Sequence, residues 1–272
     1  MPTPIRTEAG RAAAGDPAPA AARVVARSAP AREPAARVVV RRAGAATVLG
    51  ELRAASPWAP RPLPPAADGS ARVALVQTAA TLLSGDDCTL ELEVGEGAAL
   101  ELVETGATVA HSVRGGAPAR MRLRIALGAG ARLTWLGRPL VLAAGCDLTR
   151  TTTIALAPAA RLLLRETVVL GRSGERPGRL DATLRATRAA TPLLHERLTT
   201  ADPSLLRSPL VAGGAVTLDS IVLLGARGDS LPGASQLAAE GTVWRALHPR
   251  GVDPDGPAHT VTERWRCASV CR

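Results

Sequence analysis

The sequence predicts an all-β protein of stacked strand repeats, a β-helix-like or sandwich-like scaffold, with a small helical C-terminal part. First, apolar residues alternate with polar or acidic ones over residues 89–94 (TLELEV), a period of two that fits a half-buried strand. Second, a glycine-containing corner follows at residues 95–98. Third, the unit at residues 94–100 recurs 33 residues later at 127–133, and again 29 residues further on at 156–162. A recurring strand–corner–strand unit indicates repeated β layers.

Aligning the three units predicts which side chains stack in interior columns. The predicted neighbours are Leu90 and Leu123; Leu92, Ile125 and Ile154; Val94, Leu127 and Leu156; Leu100, Leu133 and Leu162; and Leu102, Trp135 and Leu164. All are apolar, as an interior column requires. The predicted outward column contains Glu91, Arg124 and Thr153, and opposite charges on adjacent strands support this register.

The segments before these units contain few apolar residues in regular patterns. Residues 1–36 are rich in Ala, Pro, Arg and Gly, which predicts a disordered tail. An edge strand is expected at residues 38–40, followed by a turn at Gly44 and a second strand at 47–49. The proline-rich residues 56–65 predict an extended connector, because proline excludes helix and central strand. Asp68 and Gly69 mark a turn before the next strand.

Helical periodicity is expected only after residue 200. Asp202 as a cap and Pro203 at the first position predict a single turn at residues 204–206. The best helix is predicted at residues 234–247, where four large apolar residues fall roughly on one face between Gly233 and Pro249. The predicted division is therefore a tail over 1–36, a β scaffold over 37–230 and a short helical segment over 231–272.

Charge and aromatic content argue against a specific nucleic-acid partner. The net charge is +9, of which residues 1–72 carry +6 and residues 73–272 only +3. Residues 86–104 hold seven acids and no arginine. The chain has four tryptophans and no tyrosine or phenylalanine, whereas sequence-specific RNA binders combine a basic surface with stacking aromatics.

Compartment and membrane association can also be predicted. Four cysteines in a chain of 272 residues do not make a disulfide scaffold, and reduced thiols are the simpler interpretation. No apolar run approaches the ~18 residues of a membrane span, and no compact apolar signal segment begins the chain. A cytoplasmic protein without a membrane partner is predicted.

Catalytic and metal motifs are sparse. A phosphate-binding Gly-x-x-x-x-Gly-Lys loop is impossible because the chain has no lysine, and no Gly-x-Ser-x-Gly or His-Glu-x-x-His occurs. Cys267 and Cys271, with His259 nearby, could contribute metal ligands on one helix face. A closed site needs about four ligands, so an incidental cysteine pair is favoured. We therefore predict no catalytic residues and no permanently bound cofactor.

Several motifs, taken in order, resemble the urease accessory protein UreD (UreH) family. The resembling residues are Gly85 and Asp86 within 83–87 (LSGDD), Thr105 and Thr108 within 104–109 (ETGATV), the segment 135–141 (WLGRPLV), and Gly171, Arg172, Gly174 and Glu175 within 165–175 (RETVVLGRSGE). Each motif is short, but their order and spacing extend over about 190 residues, from residue 38 to residue 224.

The resemblance implies a function as well as a fold. It implies a β-helix-like, non-enzymatic scaffold that docks on apo-urease with UreF and the GTPase UreG and assists nickel insertion. Its partners would be UreF, UreG and the urease structural subunits, and nickel would pass in transit through an internal tunnel. Two alternatives stay open: a generic interaction module with a basic N-terminal arm and, less favoured, a β-helix enzyme acting on polysaccharide.

Three residues are candidates for a transit path. His111 ends a strand, and a polar strand-end histidine is its simpler interpretation. Glu166 lies in an apolar strand, so it is either outward-facing and paired with Arg165 or Arg172, or lines a polar interior path. Hard oxygen ligands would suit a metal in transit, because transfer requires release. We hypothesise that Glu166, Arg172 and Glu175 form a structural or tunnel-lining ion network, with a solvated salt bridge as the alternative.

Overall fold

The computed structural model describes residues 35–209, 211–249, 251 and 256–270, without the side chains of Cys267 and Val270. Except for its last two residues, the predicted tail over 1–36 lies outside these ranges. Cys271 and the Cys267 side chain, proposed above as a possible ligand pair, also lie outside them.

Strands dominate the described ranges, and two helices accompany them. The strands of the first half are β1 (Ala36–Ala43), β2 (Ala46–Arg53), β3 (Trp58–Leu63), β4 (Ala71–Gln77), β5 (Asp87–Val94), β6 (Ala99–Glu104), β7 (Thr108–Ala110), β8 (Ala119–Leu127) and β9 (Arg132–Leu136). The remaining elements are β10 (Leu140–Leu142), β11 (Asp147–Leu156), β12 (Arg161–Val169), β13 (Arg179–Arg188), β14 (Thr191–Thr199), α1 (Pro203–Arg207), β15 (Thr217–Leu224), β16 (Ala234–Gln236), β17 (Gly241–His248) and α2 (Pro257–Val270).

The strands form two sheets. The first sheet has the order β14-β13-β11-β8-β5-β1-β2, and the second has the order β16-β17-β15-β12-β9-β6-β4-β3. Each repeat contributes one strand to the first sheet, turns a corner and contributes the next strand to the second sheet. The strands of successive repeats pair in parallel, so the protein is a solenoid-like stack of strands, as the sequence predicts.

The predicted register is confirmed along both sheets. In the first sheet Leu90 pairs with Leu123, and Ile125 pairs with both Leu92 and Ile154. In the second sheet, Leu133 lies between Leu100 and Leu162, and Trp135 lies between Leu102 and Leu164. The outward column of Glu91, Arg124 and Thr153 is also present, with Arg124 donating to Glu91 at 3.0 Å.

Two hydrophobic clusters stabilise the scaffold. The larger lies between the sheets and contains all the interior columns named above. The smaller lies on the opposite face of the second sheet, where Leu163, Ile221 and Trp244 pack against α2. Trp265 of α2 is fully buried there, and a Cβ on Gly228 would come within 2.5 Å of its ring. Successive side chains of a strand point to opposite faces of the sheet. On β12, Leu164 therefore faces the interior between the sheets and Leu163 faces α2.

The helix predicted at residues 234–247 is wrong. The segment instead forms β16 and β17, and β17 pairs along the whole of β15, from Thr217 opposite His248 to Leu224 opposite Gly241. Residues 241–244 are buried on both faces of the sheet, which places apolar residues next to one another and imitates a helical pattern. The main helix lies later, as α2.

The predictions for segments outside the three repeats are partly confirmed. The hairpin at Gly44 joins β1 to β2, and Asp202 caps α1 by accepting from the Ser204 amide at 2.8 Å. The predicted edge position of residues 38–40 is wrong, because β1 lies between β5 and β2, and β2 forms the edge. The proline-rich segment is extended, as predicted, and its residues 58–63 form β3 at the edge of the second sheet.

Candidate functional site: a polar cleft between the sheets

A charged pair, Arg150 and Glu166, connects the two sheets across the space between them. Arg150 of β11 lies in the same column as Met121 and Cys88, both of which belong to the main core. Its Nη2 donates to a carboxylate oxygen of Glu166 on β12, in the opposite sheet. Their side chains are only 12% and 20% exposed. Burying two charges is unfavourable unless they are paired, so each residue fixes the position of the other.

The Arg150–Glu166 pair lines a cleft of about 250 Å³. Thr152, Val168, Leu184, Leu198 and Leu218 supply much of its wall. Arg197, Val211 and Leu247 lie at its rim and are exposed. The cleft therefore combines apolar walls with a few charged groups and opens to solvent on one side, a combination typical of small-molecule sites.

A second cross-sheet pair lines the same cleft. Glu196 of β14 lies one strand from Leu184, which in turn pairs with Thr152, so Glu196 belongs to an interior-facing column. Its carboxylate accepts from Nη2 of Arg245 on β17. In the second sheet Arg245 belongs to the same column as Glu166, with Ser220 between them.

A smaller pocket of about 30 Å³ continues on the other side of Arg150 and Glu166. Glu104, at the end of β6, lines it and accepts from the Trp135 indole at 3.0 Å and from the Arg138 amide at 2.8 Å. Burial raises the pKa of Glu104 above its ordinary value, against the opposing effect of these two donors and of Arg150. Thr108 lies in the same pocket, where its hydroxyl accepts from Gln77 at 2.6 Å.

The hypothesised network of Glu166, Arg172 and Glu175 divides into separate pairs. Glu166 pairs with Arg150, and neither of the partners suggested by the sequence is the one observed. Arg165 instead makes two hydrogen bonds to Asp219, at 3.1 and 2.7 Å. Arg172 pairs with Glu175 at 2.6 Å.

Arg172 and Glu175 belong to an exposed turn between β12 and β13. Gly171 and Gly174 adopt φ of +88° and +75° there, a region that favours glycine. The Glu175 carboxylate also accepts from the Ala144 amide at 3.1 Å. Hydrogen bonds from Arg172 and Ala144 lower the pKa of Glu175 to about 2. The Glu175–Ala144 hydrogen bond connects this turn to the loop after β10. Arg172 and Glu175 line neither the cleft nor the smaller pocket.

Gly85 and Asp86 form another structural turn. Gly85 has φ +77°, and the Asp86 carboxylate accepts from the Leu83 amide at 2.8 Å. Thr105 is exposed and its amide donates to the Leu75 carbonyl at 3.4 Å. Of the predicted family-signature residues, Thr108 is the one that lines a cavity.

Metal ligands do not converge within the described ranges. His111, just after β7, donates its amide to the Leu82 carbonyl at 3.1 Å and lines neither cavity. Burial raises the pKa of the Cys88 thiol to about 12 and that of Cys146 to about 11, so both stay protonated at neutral pH and are poor ligands. Among the described residues no group of three or more His, Cys, Asp or Glu side chains could hold a metal ion.

Sequence reasoning missed Arg150, Glu196 and Arg245 as site residues. Arg150 gave one usable signal: residues 148–156 of the third repeat place an arginine and a threonine where the second repeat places Met121 and Leu123. A charge in an interior column indicates an interior polar site. Glu196 and Arg245 gave no such signal, since they lie outside the three clear repeats.

Comparison with known proteins identifies the family. Residues 32–272 match the family described as UreD urease accessory protein. The chain is 42% identical to urease accessory protein UreD 1 of Streptomyces griseus over 254 residues, covering 93% of this chain and 97% of the relative. It is 36% identical to UreD 1 of Saccharopolyspora erythraea over 78% of this chain and 74% of the relative, and 36% identical to UreD of a Parafrankia species over 75% and 78%. The chain therefore belongs to the UreD family of urease accessory proteins.

Proposed function

We propose that this protein is a scaffold for urease maturation that docks on apo-urease together with UreF and the GTPase UreG and assists nickel insertion. Family membership carries the proposal, because the match extends over nearly the whole described chain. The proposal places the protein in the cytoplasm, without enzymatic activity of its own. Neither helix in the described ranges is long and apolar enough to cross a membrane.

The polar cleft supports a role in handling a cation. Glu166 lines both the cleft and the smaller pocket, and Glu104 lines the smaller pocket. Carboxylates are hard oxygen ligands. Two carboxylates cannot close a site that retains a transition metal tightly, which generally needs about four ligands. Weak, incomplete ligation suits an ion that must be released to an acceptor. In this proposal Glu104 and Glu166 are waypoints and nickel is cargo.

Arg150 adds an electrostatic condition to this proposal. Its guanidinium contacts Glu166, and a divalent cation near both would be repelled by the arginine at close range. Passage therefore requires Glu166 to exchange Arg150 for the cation. In this proposal, the opening of the Arg150–Glu166 ion pair is the step that limits passage.

Co-purification tests the proposal. The tagged full-length chain is co-expressed with UreF, UreG and the urease structural subunits in a host without urease, with and without nickel in the medium. We expect the chain to retain UreF and the structural subunits, and urease activity to depend on the chain and on nickel. Failure to retain either UreF or the structural subunits, or equal urease activity without the chain, would overturn it. A host expressing the other components alone is the control.

A further inference from the structure

A row of small residues forms the floor of a groove beside the corners of the repeats, which we call the corner groove. Gly97, Gly130 and Ala159 occupy equivalent places in three successive corners and adopt φ of +61°, +61° and +57°. The Gly97 amide donates to the Ala129 carbonyl at 2.8 Å, and the Gly130 amide donates to the Pro158 carbonyl at 3.0 Å. These bonds align the corners, so the floor follows the stacking direction and carries no side chain larger than a methyl group.

The corner groove has room for an extended polypeptide chain. Its volume is about 710 Å³, and a Cβ on Gly130 would meet no heavy atom within 4 Å. Neighbouring strands lie about 4.8 Å apart, so three corners extend over about 10 Å. An extended chain of about three or four residues covers that distance, at about 3.3 Å per residue.

Arginines dominate the charge of the groove. Arg42, Arg132 and Arg161 line it, whereas Asp68 is the one acidic side chain among the described residues of the lining. Arg132 and Arg161 lie opposite each other on neighbouring parallel strands. Like charges in this arrangement repel each other, so the groove concentrates positive charge.

Local contacts offset part of that charge. Nη2 of Arg132 lies 3.8 Å from a carboxylate oxygen of Asp68. Nη1 of Arg161 donates to the Ala268 carbonyl at 3.2 Å, near the C-terminal end of α2, and this end of a helix carries a partial negative charge. The side chains of the lining still bring one carboxylate to three guanidinium groups, so their charge favours an anionic ligand.

Arg42 is the one exposed arginine among the described residues of the lining. Its Cγ would lie 3.9 Å from a Cβ on Gly97, which places Arg42 at the first corner. Its Nε donates to the Gly44 carbonyl at 2.6 Å, a neutral acceptor that leaves the charge of Arg42 uncompensated. Glu96 is exposed in the same corner as Gly97 but does not line the groove.

The shape and charge of the groove together define its ligand. In an extended acidic peptide, carboxylates on alternate residues lie on one face about 6.6 Å apart, and the planar fork of arginine matches a carboxylate. The described lining contains no aromatic ring, whereas sites for single-stranded nucleic acid use aromatic rings to stack bases. A peptide therefore fits better than a nucleic acid.

We propose that the corner groove is a docking site for an extended acidic segment of a partner protein, whose carboxylates pair with Arg42, Arg132 and Arg161. The corner groove shares no lining residue with the polar cleft, and docking there needs no metal. The proposal is therefore independent of the function proposed above, and either can fail without the other.

A peptide of about six residues in which glutamate and serine alternate is a suitable probe. Fluorescence anisotropy of this peptide, labelled with an uncharged dye, measures its binding to the full-length chain. We expect a peptide with glutamine in place of glutamate to bind at least about tenfold more weakly, because charge-assisted hydrogen bonds are lost. Equal binding of the two peptides, or no binding of the glutamate peptide at about 1 mM, would overturn the proposal.

Two arginine variants separate the groove from general attraction to a basic protein. Arg42→Glu should weaken binding of the glutamate peptide by about fivefold or more, because an attractive contact becomes repulsive. Arg114→Glu changes an exposed arginine in the turn before β8, at the end of that strand away from its corner, and should leave binding nearly unchanged. Both variants lower the net charge equally, so an equal loss of affinity would contradict the groove as the site.

Asp68→Asn keeps the test decisive if Arg42→Glu does not fold, which circular dichroism establishes before binding is measured. Asparagine can still accept from the Ser70 amide, as Asp68 does at 3.0 Å, but it removes the competing charge beside Arg132. Peptide binding should therefore strengthen severalfold, and unchanged or weaker binding contradicts the proposal. Tighter binding of a single-stranded oligonucleotide than of the peptide, weakened equally by Arg42→Glu, would assign the groove to nucleic acid instead.

Discussion

Arg165 and Asp219 form a forked ion pair on the face of the second sheet that α2 partly covers. Two guanidinium nitrogens of Arg165 donate to the two oxygens of Asp219, at 3.1 and 2.7 Å, and the Thr167 hydroxyl donates to the same carboxylate at 2.9 Å. The Asp219 side chain is 2% exposed and that of Arg165 is 16% exposed. The pair joins β12 to β15, which are antiparallel neighbours.

Replacing Asp219 should strongly destabilise the protein. Asp219→Asn leaves the Arg165 charge buried without a counter-ion, and loss of one member of a buried pair costs about 3–5 kcal/mol. Urea denaturation followed by circular dichroism measures the free energy of unfolding.

Asp181 provides a matched control for that prediction. It makes a comparable forked pair with Arg197, at 2.8 and 2.7 Å, but the Arg197 side chain is 65% exposed. Solvent screens such a pair, so Asp181→Asn should have a much smaller effect. A similar loss of stability in both variants would show that burial does not decide the strength of these pairs.

Truncating a side chain of an interior column should also destabilise the fold. Leu133 is 1% exposed and lies between Leu100 and Leu162, so Leu133→Ala removes contacts to both neighbours and leaves a cavity. Such substitutions cost about 2–5 kcal/mol. Leu49→Ala at the exposed edge strand, where Leu49 is 39% exposed, should change the free energy of unfolding by only about 0.5 kcal/mol. Equal effects at both positions would contradict the assigned interior.

The burial of Glu104 predicts a pH dependence of stability with a definite sign. Its pKa in the folded protein is raised above the ordinary value of 4.5, so between these two values the folded state binds more protons than the unfolded state. The contribution of Glu104 to the free energy of unfolding should therefore increase as pH falls through the raised pKa towards 4.5, and should be least favourable above it.

Glu104→Gln removes this titration and serves as the reference. Urea denaturation of both proteins at a series of pH values from about 7 to 4.5 gives the difference in free energy of unfolding. That difference should shift in favour of the unaltered protein as the pH is lowered. A constant difference, or a shift in the opposite direction, would show that the pKa of the Glu104 carboxyl is not raised in the folded protein.

Glu166 and Glu175 should differ in their effect on urease maturation. Glu166→Gln removes the carboxylate that lines the cleft, so urease activation in cells should fall while UreF is still retained. Glu175→Gln alters an exposed turn, so activation and complex formation should be unchanged. Urease activity and co-purification are measured for both variants. Loss of activation in Glu175→Gln, or full activation in Glu166→Gln, would reverse the assignment of these two residues.

Local pattern was sufficient to predict the repeats because a stacked parallel register is itself periodic. Leu92, Ile125 and Ile154 could be aligned without knowing the fold, since each occupies the same position in its unit. Residues 234–247 could not be assigned in this way. Val243 and Trp244 are buried on opposite faces of a strand, and only the presence of β15 beside them decides between helix and strand.

The repeats and motifs of the sequence were enough to predict the stacked β scaffold, its interior columns and the resemblance to UreD. Tertiary structure alone decided which charges meet. Arg150 and Glu166 lie on different sheets, and Arg165 and Asp219 are 54 residues apart, so neither pair follows from a local period. Glu166 has arginines near it in the sequence, at Arg165 and Arg172, but strand alternation turns Arg165 to the other face and a turn takes Arg172 to Glu175. The polar cleft exists because folding brings the third repeat's interior arginine opposite an interior glutamate.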